Sequence, residues 1–120
     1  HPDVVAEVKA AFERYNKAIE TGDTETLNTL FWNSPLTVRF GPTEHLFGYA
    51  EISSFRSGVW KSGPPRVIER IAITALGQDV ATTNAMFRTA GGRITRQSQT
   101  WARVPEGWRI VAAHVSPFPD

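Results

Sequence analysis

The sequence predicts an α+β fold: about three N-terminal helices packed on one face of a curved mixed or antiparallel β-sheet, closing a cone. Two observations predict it. Over residues 1–60 apolar side chains recur mainly at helical spacing. After the break Lys61-Ser62-Gly63-Pro64-Pro65, every segment reads as a strand joined to the next by a short turn. At 120 residues the chain is one domain's worth, spanning 1–120.

The helices come first. Val4, Val5, Val8, Ala11, Phe12, Tyr15, Ala18 and Ile19 form one apolar stripe, with Pro2 and Asp3 suited to a start and Gly22 to a stop. Asp23 then caps a short second helix whose apolar face is Leu27, Leu30, Phe31 and Trp32, ended by Asn33-Ser34-Pro35. A brief β-rich stretch, Leu36 to Phe40, turns at Gly41-Pro42-Thr43-Glu44 toward Leu46-Phe47. Tyr49 to Trp60 reads as the third helix.

The strands follow over Arg66–Leu76, Val80–Thr89, Ile94–Val104 and Arg109–Ser116. Turns as short as Gly77-Gln78-Asp79 favour antiparallel neighbours, because a parallel crossover needs about a dozen residues. Alternation puts Thr95, Gln97, Gln99, Trp101 and Arg103 on one face. It puts Ile110, Ala112 and His114 together on a face that a partner subunit would cover, making a homodimer. One end of such a cone packs solid and the other opens as a pocket.

Composition narrows the function. Net charge is +1, which gives no case for nucleic-acid binding, and no apolar run approaches the roughly 20 residues of a membrane span. There is no cysteine, which fits a reducing cytoplasm and removes thiolate metal sites and a cysteine nucleophile. His1, His45 and His114 lack metal-ligand spacing, and no phosphate-binding loop or nucleophile elbow is present, so neither metal nor cofactor is expected.

Two residues stand out. Tyr15 sits on the apolar stripe of the first helix, where a buried hydroxyl needs a partner. Arg39 sits in a strand between Val38 and Phe40, where arginine faces either a partner or a cavity. Together they suit an anion-binding, proton-transferring pair, the arginine fork matching a carboxylate. The other reading is a tyrosine core anchor and an edge-strand arginine paired with Glu44 or Glu51. Gln97 and Gln99, beside Trp101, suit a urea or amide group, or else a hydrated sheet face. Trp32, Tyr49 and Trp60 either wall the pocket or fill the core. Arg56, one turn from Ile52 and Trp60, either reaches the pocket or snorkels. His114, among apolar neighbours, reads as a packing residue.

Longer motifs carry a resemblance. A strand ending in Trp101, followed by Gly107-Trp108-Arg109-Ile110 and His114-Val115-Ser116, resembles the SnoaL-like and ketosteroid-isomerase-like cone folds. It is also similar to the association domain of calcium/calmodulin-dependent protein kinase II. Ala11–Tyr15 (AFERY), Leu30–Pro35 (LFWNSP), Thr37–Gly41 (TVRFG) and Gly92–Trp101 (GRITRQSQTW) resemble the AtzH-like family, which includes proteins labelled as oxalurate catabolism proteins. The resemblance implies a small cytoplasmic homo-oligomer of bacterial nitrogen catabolism. Its enzymatic branch is a cofactor-independent decarboxylating amidohydrolase that turns 1,3-dicarboxyurea into allophanate in cyanuric acid breakdown. The family's tyrosine falls on Tyr15 and its arginine on Arg39. Two rival classes are a non-enzymatic ureide-binding or accessory protein and an oligomerisation domain.

Overall fold

Local signals set the helix boundaries. A computed structural model describes residues 1–58, 61–63 and 65–119. Helix α1 spans Pro2–Thr21, with proline in the first turn, where its missing N–H costs nothing. Gly22 ends it at φ 70°, ψ 28°. A Cβ there would lie 2.5 Å from the Lys61 carbonyl oxygen, so both conformation and space call for glycine. Helix α2 spans Thr24–Leu30, its Asp23 cap accepting from the Thr26 backbone N–H at 3.1 Å and from the Thr26 hydroxyl at 2.7 Å.

The predicted face of this helix ran through Phe31 and Trp32, but both lie beyond it. Phe31 is extended and bridges to Ile110, and the Trp32 N–H donates to the Ile110 carbonyl at 2.9 Å. Pairing with a strand replaces a further helical turn. Helix α3 spans Tyr49–Ser57, and the Gly58 N–H closes it on Ser54. Val59 and Trp60, which were expected to continue it, lie outside the described residues.

The strands are β1 (Val38–Phe40), β2 (His45–Phe47), β3 (Arg66–Ala75), β4 (Val80–Thr89), β5 (Ile94–Val104) and β6 (Gly107–Pro117). They form one sheet in the order β2-β1-β6-β5-β4-β3. Strands β3 to β6 make the expected antiparallel meander. Strand β1 runs parallel to β6 and antiparallel to β2, so the sheet is mixed and β1 is not an edge.

One irregularity corrects the predicted faces of β6. Thr100 pairs with Ala112 but Trp101 pairs with Ile110, leaving Val111 as an extra residue. This bulge shifts the alternation by one. Ile110 is therefore fully buried in the core, while Ala112 and His114 are exposed on the outer face. The expected shared face of all three does not exist.

The helices cover the inner face of the sheet. Phe12, Leu27, Leu30, Ile52, Phe87 and Trp101 belong to one continuous core, and each such side chain contributes about 1.5–3 kcal/mol by leaving water. The inner face changes character along β5. Trp101 is sunk at the solid end, its indole N–H donating to the Thr83 hydroxyl at 3.1 Å, and Thr83 donates to Gln99 Oε1 at 3.1 Å. Beyond Gln99 come Gln97 and Thr95, and there the inner face opens. Among the described residues no helix is long and apolar enough to cross a membrane.

Candidate active site

A cavity of about 320 Å³ lies at that open end. Two helices and three strands each bring it a polar group. Tyr15 reaches it from α1 and Arg56 from α3, while Arg39 comes from β1, Arg66 from the start of β3 and Gln97 from β5. Glu44 and Thr43 close one side from the β1–β2 turn.

Tyr15 is 1% exposed. Its ring meets Phe31 edge-on at 6.2 Å, which fixes the ring and leaves the hydroxyl toward the cavity. Arg56, 2% exposed, donates from Nη2 to the Tyr15 hydroxyl at 3.5 Å, a long contact. Burial pushes the Arg56 guanidinium below its ordinary pKa, Tyr15 opposes that shift, and Arg39 adds to it. Arginine nevertheless stays charged at neutral pH. Phe55 stands 5.6 Å from both the Arg39 and the Arg56 guanidinium and so braces the two like charges.

Arg39 combines both predicted roles. It lines the cavity, and its Nη1 also pairs with Glu44 Oε1 at 2.5 Å. Partial burial pushes the Glu44 carboxyl up, but hydrogen bonds from Arg39 and Thr43 outweigh it and hold the carboxyl below the usual range. Glu51 takes no part in this pair; its carboxylate accepts from the Phe47 N–H.

The lining titratable groups are thus three guanidiniums, one carboxylate and a tyrosine. Among the described lining residues guanidiniums outnumber carboxylates three to one, in a partly dry space where positive charge favours an anion. Gln97, 6% exposed, carries an Oε1 with no hydrogen-bond partner. A buried acceptor in that state calls for a hydrogen-bond donor. The site therefore suits a small anion that carries a hydrogen-bond donor. Among the described residues no group of three His, Cys, Asp or Glu could hold a metal ion.

Several predicted binding residues stand elsewhere. Trp32 and Tyr49 line a separate cleft with Glu106 and Arg109, and the Tyr49 hydroxyl donates to the Asn28 carbonyl at 2.9 Å. The early end of α2 directs Trp32 there. Gln99 and Trp101 share the inward face with Gln97 rather than a hydrated one, but they sit deeper than the cavity wall. Trp60 lies outside the described residues. Arg66, Glu44 and Phe55 also line the cavity, beyond the residues the sequence pattern points to. Glu44 had a signal, as the possible partner of Arg39. Arg66 had none, because a register shift between Ile68 and Arg70 scrambles the alternation that would place it. Another concavity, about 310 Å³, lies on the outer sheet face by Arg70, Met86 and Arg96. Its charged side chains are exposed to water, so nothing there needs a ligand.

A curled mixed sheet closed by three helices over a cavity is the cone fold of nuclear transport factor 2-like and cystatin-like proteins. Solved structures bear this out. A cystatin-like fold protein from Burkholderia xenovorans superposes with TM-score 0.94 at 41% identity, covering 100% of this chain and 95% of that one. A protein of unknown function from the DUF3225 family of Pectobacterium atrosepticum gives 0.94 at 45% identity, covering 99% and 94%. A nuclear transport factor 2-like superfamily protein from Salmonella enterica gives 0.81 at 26% identity, covering 99% and 94%. No curated protein sequence matches. The chain belongs to the AtzH-like family, whose profile matches residues 1–120.

Proposed function

We propose that this chain is a cofactor-independent decarboxylating amidohydrolase that converts 1,3-dicarboxyurea to allophanate. One observation carries the reading: a buried tyrosine hydroxyl stands beside an arginine in a cavity lined by three arginines and one glutamate. The substrate is a dianion with urea N–H groups. Its two carboxylates suit the arginine-rich lining, and its N–H suits the unpartnered Oε1 of Gln97.

The chemistry follows from the residues. Arg39 binds the carboxylate that leaves, and Glu44 holds the fork in place. As the N–C bond to that carboxylate breaks, its electron pair passes to nitrogen and the carbon departs as CO2. Tyr15 gives its proton to that nitrogen and regains one from solvent. Arg56 donates to the tyrosine oxygen and stabilises the negative charge it carries in between. The balance is one dianion and one proton in, one allophanate and one CO2 out.

The test is product analysis by mass spectrometry after mixing the protein separately with fresh 1,3-dicarboxyurea, oxalurate and allophanate, against a protein-free control. Conversion of dicarboxyurea faster than the control, lost in Arg39→Lys, is expected, because lysine keeps the charge and loses the fork. Binding of a ureide without conversion would make the chain a ureide-binding protein instead.

A further inference from the structure

The mechanism above uses one carboxylate of a dianion and leaves the third arginine of the cavity without a task. Arg66 opens β3, while Arg39 lies on β1. Four strand intervals separate them, about 19 Å across a flat sheet. The curl of the sheet and two long side chains bring both guanidiniums to one cavity from strands far apart in the sheet.

Arg66 is a prepared fork. Its guanidinium lies on the Phe87 ring, 3.8 Å from the centroid, and its Nη2 donates to Asn16 Oδ1 at 3.1 Å. These two contacts fix its plane and direction. Yet its Nε, sealed from water, has no acceptor, and neither does the buried Nδ2 of the adjoining Asn16. Among the described residues no carboxylate pairs with Arg66, whereas Arg39 and Arg88 each have one and Arg103 has two. Glu20, exposed near the mouth, acts on Arg66 only at a distance. A half-buried, oriented guanidinium next to donors without acceptors has the character of a carboxylate receptor.

We propose that Arg66 anchors the second, non-leaving carboxylate, so that the cavity selects small dicarboxylates over monocarboxylates of the same size. The assignment rests on the dicarboxyurea reading for its catalytic meaning, but not for its test. It also accounts for turnover. After CO2 leaves, allophanate has one carboxylate and cannot satisfy Arg39 and Arg66 together, which favours its release and protects it from a second decarboxylation.

The test uses glutarate, a stable dicarboxylate with the same five-atom span as dicarboxyurea, and its monomethyl ester, a monoanion of similar size. Binding of each is measured by calorimetry at pH 7 and low salt. The wild-type protein is expected to bind glutarate about 30-fold tighter than the ester, a difference of about 2 kcal/mol. Arg66→Met, which keeps the stem on Phe87, should shrink that ratio to about threefold or less while moving the ester's affinity by less than about threefold. Arg66→Lys should recover part of the ratio through charge alone. A wild-type protein that binds neither ligand, or both alike, overturns the proposal. So does an Arg66→Met protein that keeps the ratio or weakens both ligands equally, and circular dichroism of each variant shows whether loss of fold is the reason. Because glutarate cannot react, absence of dicarboxyurea turnover would overturn the proposed function and leave this result standing.

Discussion

Replacing Tyr15 by phenylalanine separates shape from chemistry at the heart of the cavity. The ring is 1% exposed and packs edge-on against Phe31 at 6.2 Å. Phenylalanine keeps all of that packing. What goes is one hydroxyl and its 3.5 Å contact with Arg56. A contact that long contributes about 1 kcal/mol or less to stability, so the melting temperature should fall by no more than about 4 °C. The reaction should suffer far more. A positioned proton donor contributes about 10²–10⁴-fold, equal to about 3–5.5 kcal/mol of barrier. The assay is the initial rate of dicarboxyurea consumption, corrected for its spontaneous decay, with thermal unfolding run on the same samples. A Tyr15→Phe protein with kcat/KM within about threefold of wild type would refute the role given to this hydroxyl. Tyr15→Ala would be a poor substitute, since the lost ring alone costs about 3–5 kcal/mol of stability.

Three further outcomes follow from the same geometry. Glu44→Gln should destabilise the protein at neutral pH, because the folded carboxyl titrates below its ordinary value of 4.5. The contribution of the Arg39 pair is present above that value and is lost as pH falls through the lower folded one, so urea unfolding should show the two proteins converging in acid. Gly41→Ala should cut turnover with little change in fold: a Cβ there would sit 1.8 Å from Glu44 Oε1 and 2.7 Å from Arg39 Nη1, so these flexible side-chain ends must move. Finally, we propose a homodimer through the outer sheet face around Ala112 and His114. Sedimentation should give a dimer at micromolar concentration and a monomer for Ala112→Arg, and a wild-type monomer would rule the interface out.

The sequence exposed this site unevenly, and for physical reasons. Tyr15 was visible as a hydroxyl on the apolar stripe of the first helix, and Arg39 as an arginine set in a β-rich stretch, where it needs a partner or a cavity. Gln97 was visible because β5 alternates without a break from Thr95 to Trp101, so parity put it on one face with Gln99 and Trp101; parity did not say whether that face was inward or how deep each residue sat, and Gln99 and Trp101 lie below the cavity wall. Parity failed on β6, where the extra residue Val111 turned Ile110 inward, and on β3, where the shift between Ile68 and Arg70 hid Arg66. Trp32 was misplaced because a single bridge to Ile110 outcompetes the last turn of α2. Local pattern reports the face of a side chain well while an element stays regular. Bulges and strand-to-loop bridges are tertiary outcomes, and residues beside them were the ones missed.

The account stands on the conversion itself. Dicarboxyurea labelled with carbon-13 at both carboxyl carbons, followed by carbon-13 NMR with and without protein, measures it most directly. The account predicts that one label appears as CO2 and bicarbonate while the other stays in allophanate, at a rate proportional to protein concentration. Label released from dicarboxyurea no faster than in the protein-free sample would contradict it.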